Sequence, residues 1–403
     1  MKVLHVITES NLGGAQRNTL LTMRGLVRRG CRVHLACGPH GPGDAAALIR
    51  ESERLGVEVH PISSLVRRIS VTKDLAAAWA LARLMGREEF DVVHTHSTKA
   101  GIFGRLAAWS LGVPVVIHTF HGVPFDTRRE NWKTRLCFGV ERVLCRFCDS
   151  LVSVGEVLRD ELLARRVAPA GKIVTIHSGV DFAELDCRGD QGLVRDAFGL
   201  PAGVPVVGFV GRLAEQKAPE VLLRAFSAVR REVPGAHLVF VGEGPLREAL
   251  RAEAEELGIG GCVHLLGERG DVPELLSAMT VFALPSRWEG VGRALTEAMY
   301  LGLPVVSTGV NGAAELVQDG VTGLVAKGDD PADLAEKILR LIRDEPLARR
   351  LGQAARARVV ERMSAETMVD ATARLYEKLL AERSPRAAGR GGTCVRHLWQ
   401  GEP

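Results

Sequence analysis

Several features are missing from this 403-residue sequence, and each absence excludes a class of protein. The most apolar stretch, residues 106–117, is interrupted by serine, glycine and proline and is shorter than the ~20 residues that a membrane-spanning helix needs. The sequence starts with a short apolar run that is typical of a first strand, and no small-residue cleavage pattern follows this run. The eight cysteines are scattered, and the CxxC of Cys145 and Cys148 has no second pair to complete a zinc site. We therefore expect a cytoplasmic protein with buried free thiols.

A strong net charge is also missing, since the formal total is only +4. The charge is uneven, because residues 1–190 carry 26 Lys and Arg against 20 Asp and Glu, a net of +6. This excess could face anionic lipid headgroups at the inner face of a membrane or a phosphorylated acceptor, or form a solvated surface. No nucleic-acid-binding motif and no interleaving of aromatic and basic residues accompany it, so we expect no nucleic-acid partner.

The pattern that is present is a repeated alternation of short apolar runs and helical segments. Strands are predicted at 2–8, 32–36, 91–94, 113–118, 150–154 and 172–176, and again at 204–210, 236–241, 262–266, 281–284, 304–307 and 324–326. Helices are predicted at 15–29, 74–85, 101–111, 156–165 and 364–380, among others. Such alternation predicts an α/β fold with two doubly wound parallel sheets, whose ligands lie beyond the carboxyl ends of the strands.

Chain length and pattern together predict the domain organisation. The first domain is expected at residues 1–180 and the second at 181–362. A helix at 363–381 is expected to cross back to the first domain, and the Gly/Arg/Pro-rich residues 382–403 are expected to form a disordered tail.

Two cations follow a predicted strand of the second domain. The strand ends in Val210-Gly211, and Arg212 and Lys217 come directly after it. Fixed cations at such a position can stabilise the negative charge that develops on a diphosphate leaving group.

Two carboxylates flank a glycine turn that follows another strand. Glu289 lies on the turn, Glu297 lies early in the next helix, and Gly290, Val291 and Gly292 lie between them. The spacing lets one carboxylate reach sugar hydroxyls and the other a ribose diol, while the amides of residues 290–292 at the helix N-terminus face phosphate oxygens.

Together these two segments resemble the signature of glycosyltransferase family 4, whose members have the GT-B fold of two Rossmann-like domains facing across a cleft. The resemblance covers about residues 1–380. Further matches are Val241-Gly-Glu-Gly-Pro245, Gly312-x-x-Glu315, Asp319-Gly320-x-x-Gly323 and Ser178-Gly-Val-Asp181. Arg293 departs from the aliphatic residue that is common at its position, and it could add a cation near the phosphates or form a surface salt bridge.

The resemblance implies specific roles for the donor-binding residues. Arg212 and Lys217 would contact the diphosphate, and Glu297 would contact the ribose hydroxyls. Glu289 would hold the transferred sugar. No metal is expected to be required, because the sequence has no Asp-x-Asp triplet, and no cofactor is expected.

In the first domain the resemblance implies two donor contacts and an acceptor region. The turn Gly13-Gly14 would approach the diphosphate, where a Cβ atom would obstruct closure. His121 would lie beside the reactive sugar carbon and act through hydrogen bonding, since front-face transfer with retention needs no enzyme nucleophile. His96 and Lys99 end one strand and begin a helix, where an anionic acceptor could bind. The form resembles the bacterial branch that assembles surface polysaccharides and glycolipids, so the acceptor could be a lipid diphosphate, a glycan or a soluble molecule.

The resulting prediction is transfer of a hexose or N-acetylhexosamine from a nucleotide-sugar, UDP favoured over GDP, to an acceptor hydroxyl. A nucleotide-sugar epimerase shares the fold and would convert the donor without an acceptor. A non-catalytic nucleotide-sugar-binding protein would be expected to have lost some charged donor contacts, and all four are present. A dinucleotide-dependent dehydrogenase fits less well, because the first strand is followed by Asn11-Leu-Gly-Gly14 instead of GxGxxG.

Overall fold

The computed structural model describes residues 1–39, 46–122, 132–185, 195, 199–200, 203–289, 292–310 and 312–383. These residues form two compact units. The first unit contains the described residues of 1–121, 132–179 and 365–383, and the second contains Gly122 and the described residues of 180–364. Residues 384–403, where most of the predicted disordered tail falls, lie outside the described residues.

The first unit contains a seven-stranded parallel sheet. Its strands are β1 Lys2–Ile7, β2 Arg32–Cys37, β3 Glu58–Pro61, β4 Val92–His96, β5 Val115–Phe120, β6 Ser150–Ser153 and β7 Ile173–Thr175. Its helices before the second unit are α1 Gly14–Arg28, α2 Ala47–Arg54, α3 Val71–Glu88, α4 Thr98–Ser110, α5 Trp132–Leu144 and α6 Glu156–Ala164.

The second unit contains a six-stranded parallel sheet. Its strands are β8 Val206–Val210, β9 His237–Val241, β10 Val263–Leu265, β11 Val281–Leu284, β12 Val305–Ser307 and β13 Leu324–Val325. Its helices are α7 Pro219–Glu232, α8 Arg247–Glu256, α9 Val272–Ser277, α10 Arg293–Tyr300, α11 Gly312–Leu316, α12 Pro331–Arg343 and α13 Glu345–Arg362.

Both sheets have the strand order of a doubly wound fold. The first sheet runs β3-β2-β1-β4-β5-β6-β7 and the second runs β10-β9-β8-β11-β12-β13. The order therefore reverses between β1 and β4 in one unit and between β8 and β11 in the other. Loops that leave these neighbouring strands in opposite directions open a crevice at the carboxyl edge, where ligands of such folds bind. The predicted α/β architecture is confirmed.

The inner strands of the second sheet, β8, β9, β11 and β12, are nearly continuous apolar runs and are buried on both faces, whereas the edge strand β10 is only partly buried. Phe209 on β8 packs its ring against Phe240 on β9, with the ring centroids 5.4 Å apart. Gly208 leaves room for Met279, whose sulfur would lie 1.9 Å from a Cβ atom at position 208. A rigid sheet of this kind fixes where the loops after β8 and β11 begin.

Three elements of the first unit were not predicted from the sequence: β3, α2 and α5. Glu58-Val-His-Pro61 is short, half polar and ends in proline, so it lacks the apolar alternation by which strands are recognised. It is accommodated because β3 is the edge strand and pairs only with β2. Tertiary pairing, and not local propensity, makes this segment a strand.

The last described helix, α14 Ala365–Arg383, belongs to the first unit. It packs on α1, where Gly25 permits close approach: a Cβ atom there would lie 2.4 Å from a methyl carbon of Val369. The Tyr376 hydroxyl also reaches the His94 Nδ1 atom at 2.5 Å. The helix thereby contacts a strand that carries candidate site residues. Within the described part of the chain, no helix combines the length and the apolarity that crossing a membrane requires.

The six cysteines among the described residues are free. The buried thiols of Cys145 and Cys148 donate to the carbonyl oxygens of Arg142 and Cys145 at 3.1 and 3.5 Å. Burial raises the pKa of Cys37 to about 12 and that of Cys148 to about 11, so both thiols stay protonated and unreactive near neutral pH. The prediction of buried free thiols is confirmed for Cys37, Cys145, Cys148 and Cys262, whereas the free thiols of Cys31 and Cys137 are only partly buried.

Candidate active site

The loop after β8 carries the first predicted cation on an exposed position. The Gly211 and Leu213 amides donate to the carbonyls of Val241 and Glu243 at 2.9 and 3.0 Å, which fixes the backbone on either side of Arg212. Gly242 makes this approach possible, because a Cβ atom there would lie 2.1 Å from the Gly211 carbonyl oxygen. The exposed Arg212 side chain has no hydrogen-bond or ion-pair partner among the described residues.

The second predicted cation lies beside the first predicted carboxylate. The Lys217 ammonium forms an ion pair with the Glu289 carboxylate, and the two side chains are only 17% and 9% exposed. The buried Ser286 hydroxyl donates to the same Glu289 oxygen at 3.2 Å. Residues 72 positions apart in sequence therefore form one polar group at the β8–β11 switch point.

Arg287 fastens the loop after β11 to the loop after β8. Its guanidinium donates to the Glu215 carbonyl at 2.8 Å and forms ion pairs with Glu220 and Asp329, each at 2.7 Å. Its own amide donates to the Gln216 carbonyl at 2.8 Å. Burial would lower the pKa of Arg287, but the hydrogen bonds and charges of the two carboxylates raise it. This residue holds the two loops together and was not singled out from the sequence, although it lies within the segment that carries Glu289.

Glu297 lies on the second turn of α10, as predicted, and its side chain is 9% exposed. Arg293, one turn earlier, donates to its Oε1 atom at 2.5 Å. Of the two roles weighed for Arg293, the salt bridge is the one observed, and its partner is the predicted ribose ligand. Gly292 is the N-cap residue of the helix and has φ +76°, a conformation that favours glycine. Gly290 and Val291, also predicted to contact the donor, lie outside the described residues.

The first unit has a row of five histidines near its own switch point, in which His5, His94, His96 and His118 are buried and His121 is partly buried. His5 on β1 and His96 on β4 share a hydrogen bond of 3.0 Å between Nδ1 and Nε2, and His96 Nδ1 shares another of 3.0 Å with His121 Nε2. The Nε2 atom of His5 has no partner among the described residues. The three rings therefore form one chain in which the tautomer of His121 depends on that of His96 and His5.

Neutral rings are favoured throughout this row. Burial lowers the pKa of His5 to about 3 and that of His121 to about 4. Burial first, and neighbouring positive charge second, hold the pKa values of His94, His96 and His118 well below the ordinary value. At neutral pH each ring has one N–H donor and one acceptor nitrogen.

The predicted acceptor residues have different surroundings. His96 is buried, with both ring nitrogens in the histidine row. The Lys99 ammonium donates to Asp74 and to the Arg68 carbonyl, each at 2.5 Å, so its charge is compensated within the first unit. Direct contact of either residue with an acceptor stays a prediction.

The predicted glycine turn precedes α1. Gly13 is the N-cap residue, and Gly14 begins the helix. Nothing described lies within 4 Å of a Cβ atom built at Gly14, whereas one at Gly13 would lie 2.8 Å from the Gln16 side chain. The proposed approach of this turn to a diphosphate is untested.

Models of two protein families match the chain over most of its length. The model described as Glycosyltransferase Family 4 matches residues 12–184, and the model described as Glycosyl transferases group 1 matches residues 190–358. The first match includes the histidine row from His94 onward, and the second includes all four charged residues of the predicted donor site.

Known relatives align with nearly the whole chain. A UDP-Gal:alpha-D-GlcNAc-diphosphoundecaprenol alpha-1,3-galactosyltransferase of Escherichia coli is 29% identical over 95% of this chain and 98% of its own length. A D-inositol 3-phosphate glycosyltransferase of Mycolicibacterium smegmatis is 30% identical over 94% and 90%. Among solved structures, the Anabaena protein HepE, in complex with UDP and glucose, superposes with a TM-score of 0.81 at 22% identity, over 94% of this chain and 100% of that one. At this sequence identity the superposition shows that the two proteins share a fold.

Proposed function

Since the chain belongs to glycosyltransferase family 4, we propose that it transfers a hexose or N-acetylhexosamine from a UDP-sugar to an acceptor hydroxyl with retention of configuration. The observation that carries the proposal is the β8–β11 switch point, where the Lys217–Glu289 pair joins the loop after β11 to the loop after β8. The loop after β8 also bears Arg212, which has no partner among the described residues. The UDP in the names of two similar proteins supports the choice of base.

In the proposed mechanism the cations act on the leaving group and the carboxylates act on the sugars. Arg212 and Lys217 stabilise the diphosphate charge as the glycosidic bond breaks, so no metal is needed. Glu289, fixed by Lys217 and Ser286, accepts hydrogen bonds from the transferred sugar, and Glu297 accepts them from the ribose. The acceptor hydroxyl attacks from the leaving-group face, and its proton passes to the departing phosphate oxygen. His121 would act by hydrogen bonding, in a tautomer set by His96 and His5.

The proposed activity is tested with a panel of UDP- and GDP-sugars. A bound donor raises the melting temperature by mass action, so the correct nucleotide-sugar should give the largest shift. NMR analysis of the product should then give the anomeric configuration of the donor. Conversion of the donor in the absence of any acceptor would indicate an epimerase, and an unchanged melting temperature with every nucleotide-sugar would contradict the proposal.

Glu297→Ala should raise the dissociation constant of UDP about tenfold, because it removes a charge-assisted hydrogen bond worth ~1.5 kcal/mol. Titration calorimetry with UDP measures the change. Arg293→Ala is the matched control: it keeps the carboxylate and should raise the dissociation constant less than about threefold. An effect of Arg293→Ala as large as that of Glu297→Ala would instead make Arg293 a direct phosphate ligand.

We propose a lipid-linked acceptor, and with it a peripheral contact with an anionic membrane. The name of the Escherichia coli relative includes a lipid diphosphate acceptor, whereas that of the Mycolicibacterium relative includes a soluble phosphorylated one. An exposed apolar row on α3 supports the lipid. Val71, Leu75 and Trp79, spaced four residues apart on one face, are 73%, 68% and 51% exposed, and the exposed Arg67 and Arg68 precede them.

Leu75→Glu combined with Trp79→Glu should reduce binding to anionic lipid vesicles about tenfold or more, because two exposed apolar side chains that would enter the membrane, and their favourable transfer free energy, are lost. Cosedimentation with vesicles of phosphatidylglycerol and phosphatidylcholine measures binding. Val360→Glu, which changes an exposed valine of the second unit, serves as the control and should bind like the unchanged protein. Equal binding of the α3 variant would contradict the proposed membrane contact.

A further inference from the structure

A second group of ligand-type side chains lies at the edge of the first sheet, away from the histidine row. It consists of His34 on β2 and of Glu58 and His60 on the edge strand β3. His34 is buried, His60 is half-buried, and the Glu58 side chain is 61% exposed. The proposed glycosyl transfer uses none of these residues.

Strand pairing brings the three side chains together. Glu58 and His60 are two residues apart on β3, so they point to the same face of the sheet. The parallel register places His34 directly opposite Glu58. The His34 and His60 rings stack at 5.3 Å between centroids, and Phe90 packs edge-on against His34 at 5.0 Å. The group is therefore fixed by the backbone of two hydrogen-bonded strands and by ring packing.

The separations of the three donor atoms match those around a tetrahedral metal ion. His34 Nδ1 is 3.0 Å from His60 Nε2, and the Glu58 carboxylate oxygens are 3.5 Å from His34 Nδ1 and 3.6 Å from His60 Nε2. Ligands at ~2.1 Å from a tetrahedral ion lie ~3.4 Å apart. We propose that His34, Glu58 and His60 bind a divalent transition-metal ion, with zinc as the best fit to two imidazoles and one carboxylate, and with water as the fourth ligand.

The surrounding charges favour a cation at this position. Glu58 has no lysine or arginine partner among the described residues, so its charge is available to a metal. The neighbouring Lys2 ammonium is paired with Glu88 at 2.6 Å, which compensates its repulsion. Burial lowers the pKa of both His34 and His60, although Glu58 opposes the shift, and imidazoles that stay neutral keep a lone pair for the metal.

Two other histidine groups lack what this site has. In the trio of His5, His94 and His96, the rings are fully buried, no carboxylate is included, and His94 and His96 use both ring nitrogens in hydrogen bonds. The second sheet repeats the stacked pair across its own edge, with His237 Nδ1 2.9 Å from His264 Nε2. No third ligand joins that pair among the described residues. The pair of His237 and His264, which lacks a carboxylate ligand, therefore serves as a control for metal binding within the same molecule.

The test is titration of untagged, chelator-treated protein with zinc chloride, followed by calorimetry, and with cobalt chloride, followed by visible absorption. We expect one zinc ion per chain, a rise in melting temperature, and the strong visible bands of tetrahedral cobalt. Glu58→Gln should weaken binding about tenfold or more, and His60→Ala should abolish it. His264→Ala should leave binding unchanged.

Glu58→Gln changes an exposed side chain, so its fold, checked by circular dichroism without metal, should be intact. That variant keeps the test decisive if His60→Ala fails to fold. Absence of zinc binding by the unchanged protein would overturn the proposal. Zinc binding by Glu58→Gln and His60→Ala that is as strong as binding by the unchanged protein would also overturn the proposal, because the ion would then lie elsewhere.

Discussion

Arg212→Ala is expected to lower kcat about 10²- to 10³-fold while leaving the melting temperature unchanged. The reduction follows from the loss of one fixed charge at a leaving group, which costs ~3–4 kcal/mol of transition-state stabilisation. The unchanged stability follows from the exposed position of the side chain and its lack of a partner among the described residues. Steady-state kinetics with the donor identified by the nucleotide-sugar panel, together with thermal unfolding, measure both quantities.

Two comparisons make the Arg212 result interpretable. Arg231→Ala removes an exposed arginine of α7 and should leave both kcat and melting temperature unchanged. Lys217→Ala should lower kcat and also destabilise the second unit, because the Glu289 carboxylate then loses its ammonium partner. If Arg212→Ala retained full activity, the proposed binding of the diphosphate by the loop after β8 would be wrong. The membership of the chain in glycosyltransferase family 4 would be unaffected.

Acid is expected to destabilise the first unit well above the pH at which carboxylates protonate. The native pKa of His5 is lowered to about 3, against 6.5 for an ordinary histidine, so the unfolded chain binds more protons between these values. Stability is therefore fully present above pH 6.5 and is lost as the pH falls toward 3. At pH 5 this linkage costs about 2 kcal/mol for His5 alone. His94, His96 and His118, whose pKa values are also lowered by burial, add to that loss.

The measurement is thermal unfolding at pH 7.5 and pH 5. For a unit of this size, a loss of 2 kcal/mol lowers the melting temperature by roughly 4–8 °C, and the sum over the histidine row should exceed that. His5→Phe should make the dependence on pH shallower, whatever it does to stability at pH 7.5. His264→Gln removes a half-buried histidine of the second unit whose pKa burial also lowers, so it should leave the pH dependence of the first unit unchanged and reduce only that of the second. Equal melting temperatures at the two pH values would contradict the expectation.

Local sequence determined much of the fold and the charged part of the candidate site. The alternation of apolar runs and helical segments predicted both parallel sheets, because strands buried on both faces and amphipathic helices have different periods. Arg212, Lys217, Glu289 and Glu297 were predictable because each lies within a few residues of a strand end or a helix start. Strand ends and helix starts can be predicted from the sequence, because a glycine or the end of an apolar run marks them.

Only the tertiary structure decided which of these residues contact one another and which other residues they bind. The bond between His5 and His96 joins positions 91 apart, and that between His94 and Tyr376 joins positions 282 apart. The group of His34, Glu58 and His60 exists because the edge strand β3 pairs with β2 in one register. No local pattern contains this information, since strand pairing and helix packing are set by the burial of whole faces. The sequence by itself determined which charged residues lie on the loops after β8 and β11, and the packing of distant strands determined the histidine row and the group of His34, Glu58 and His60.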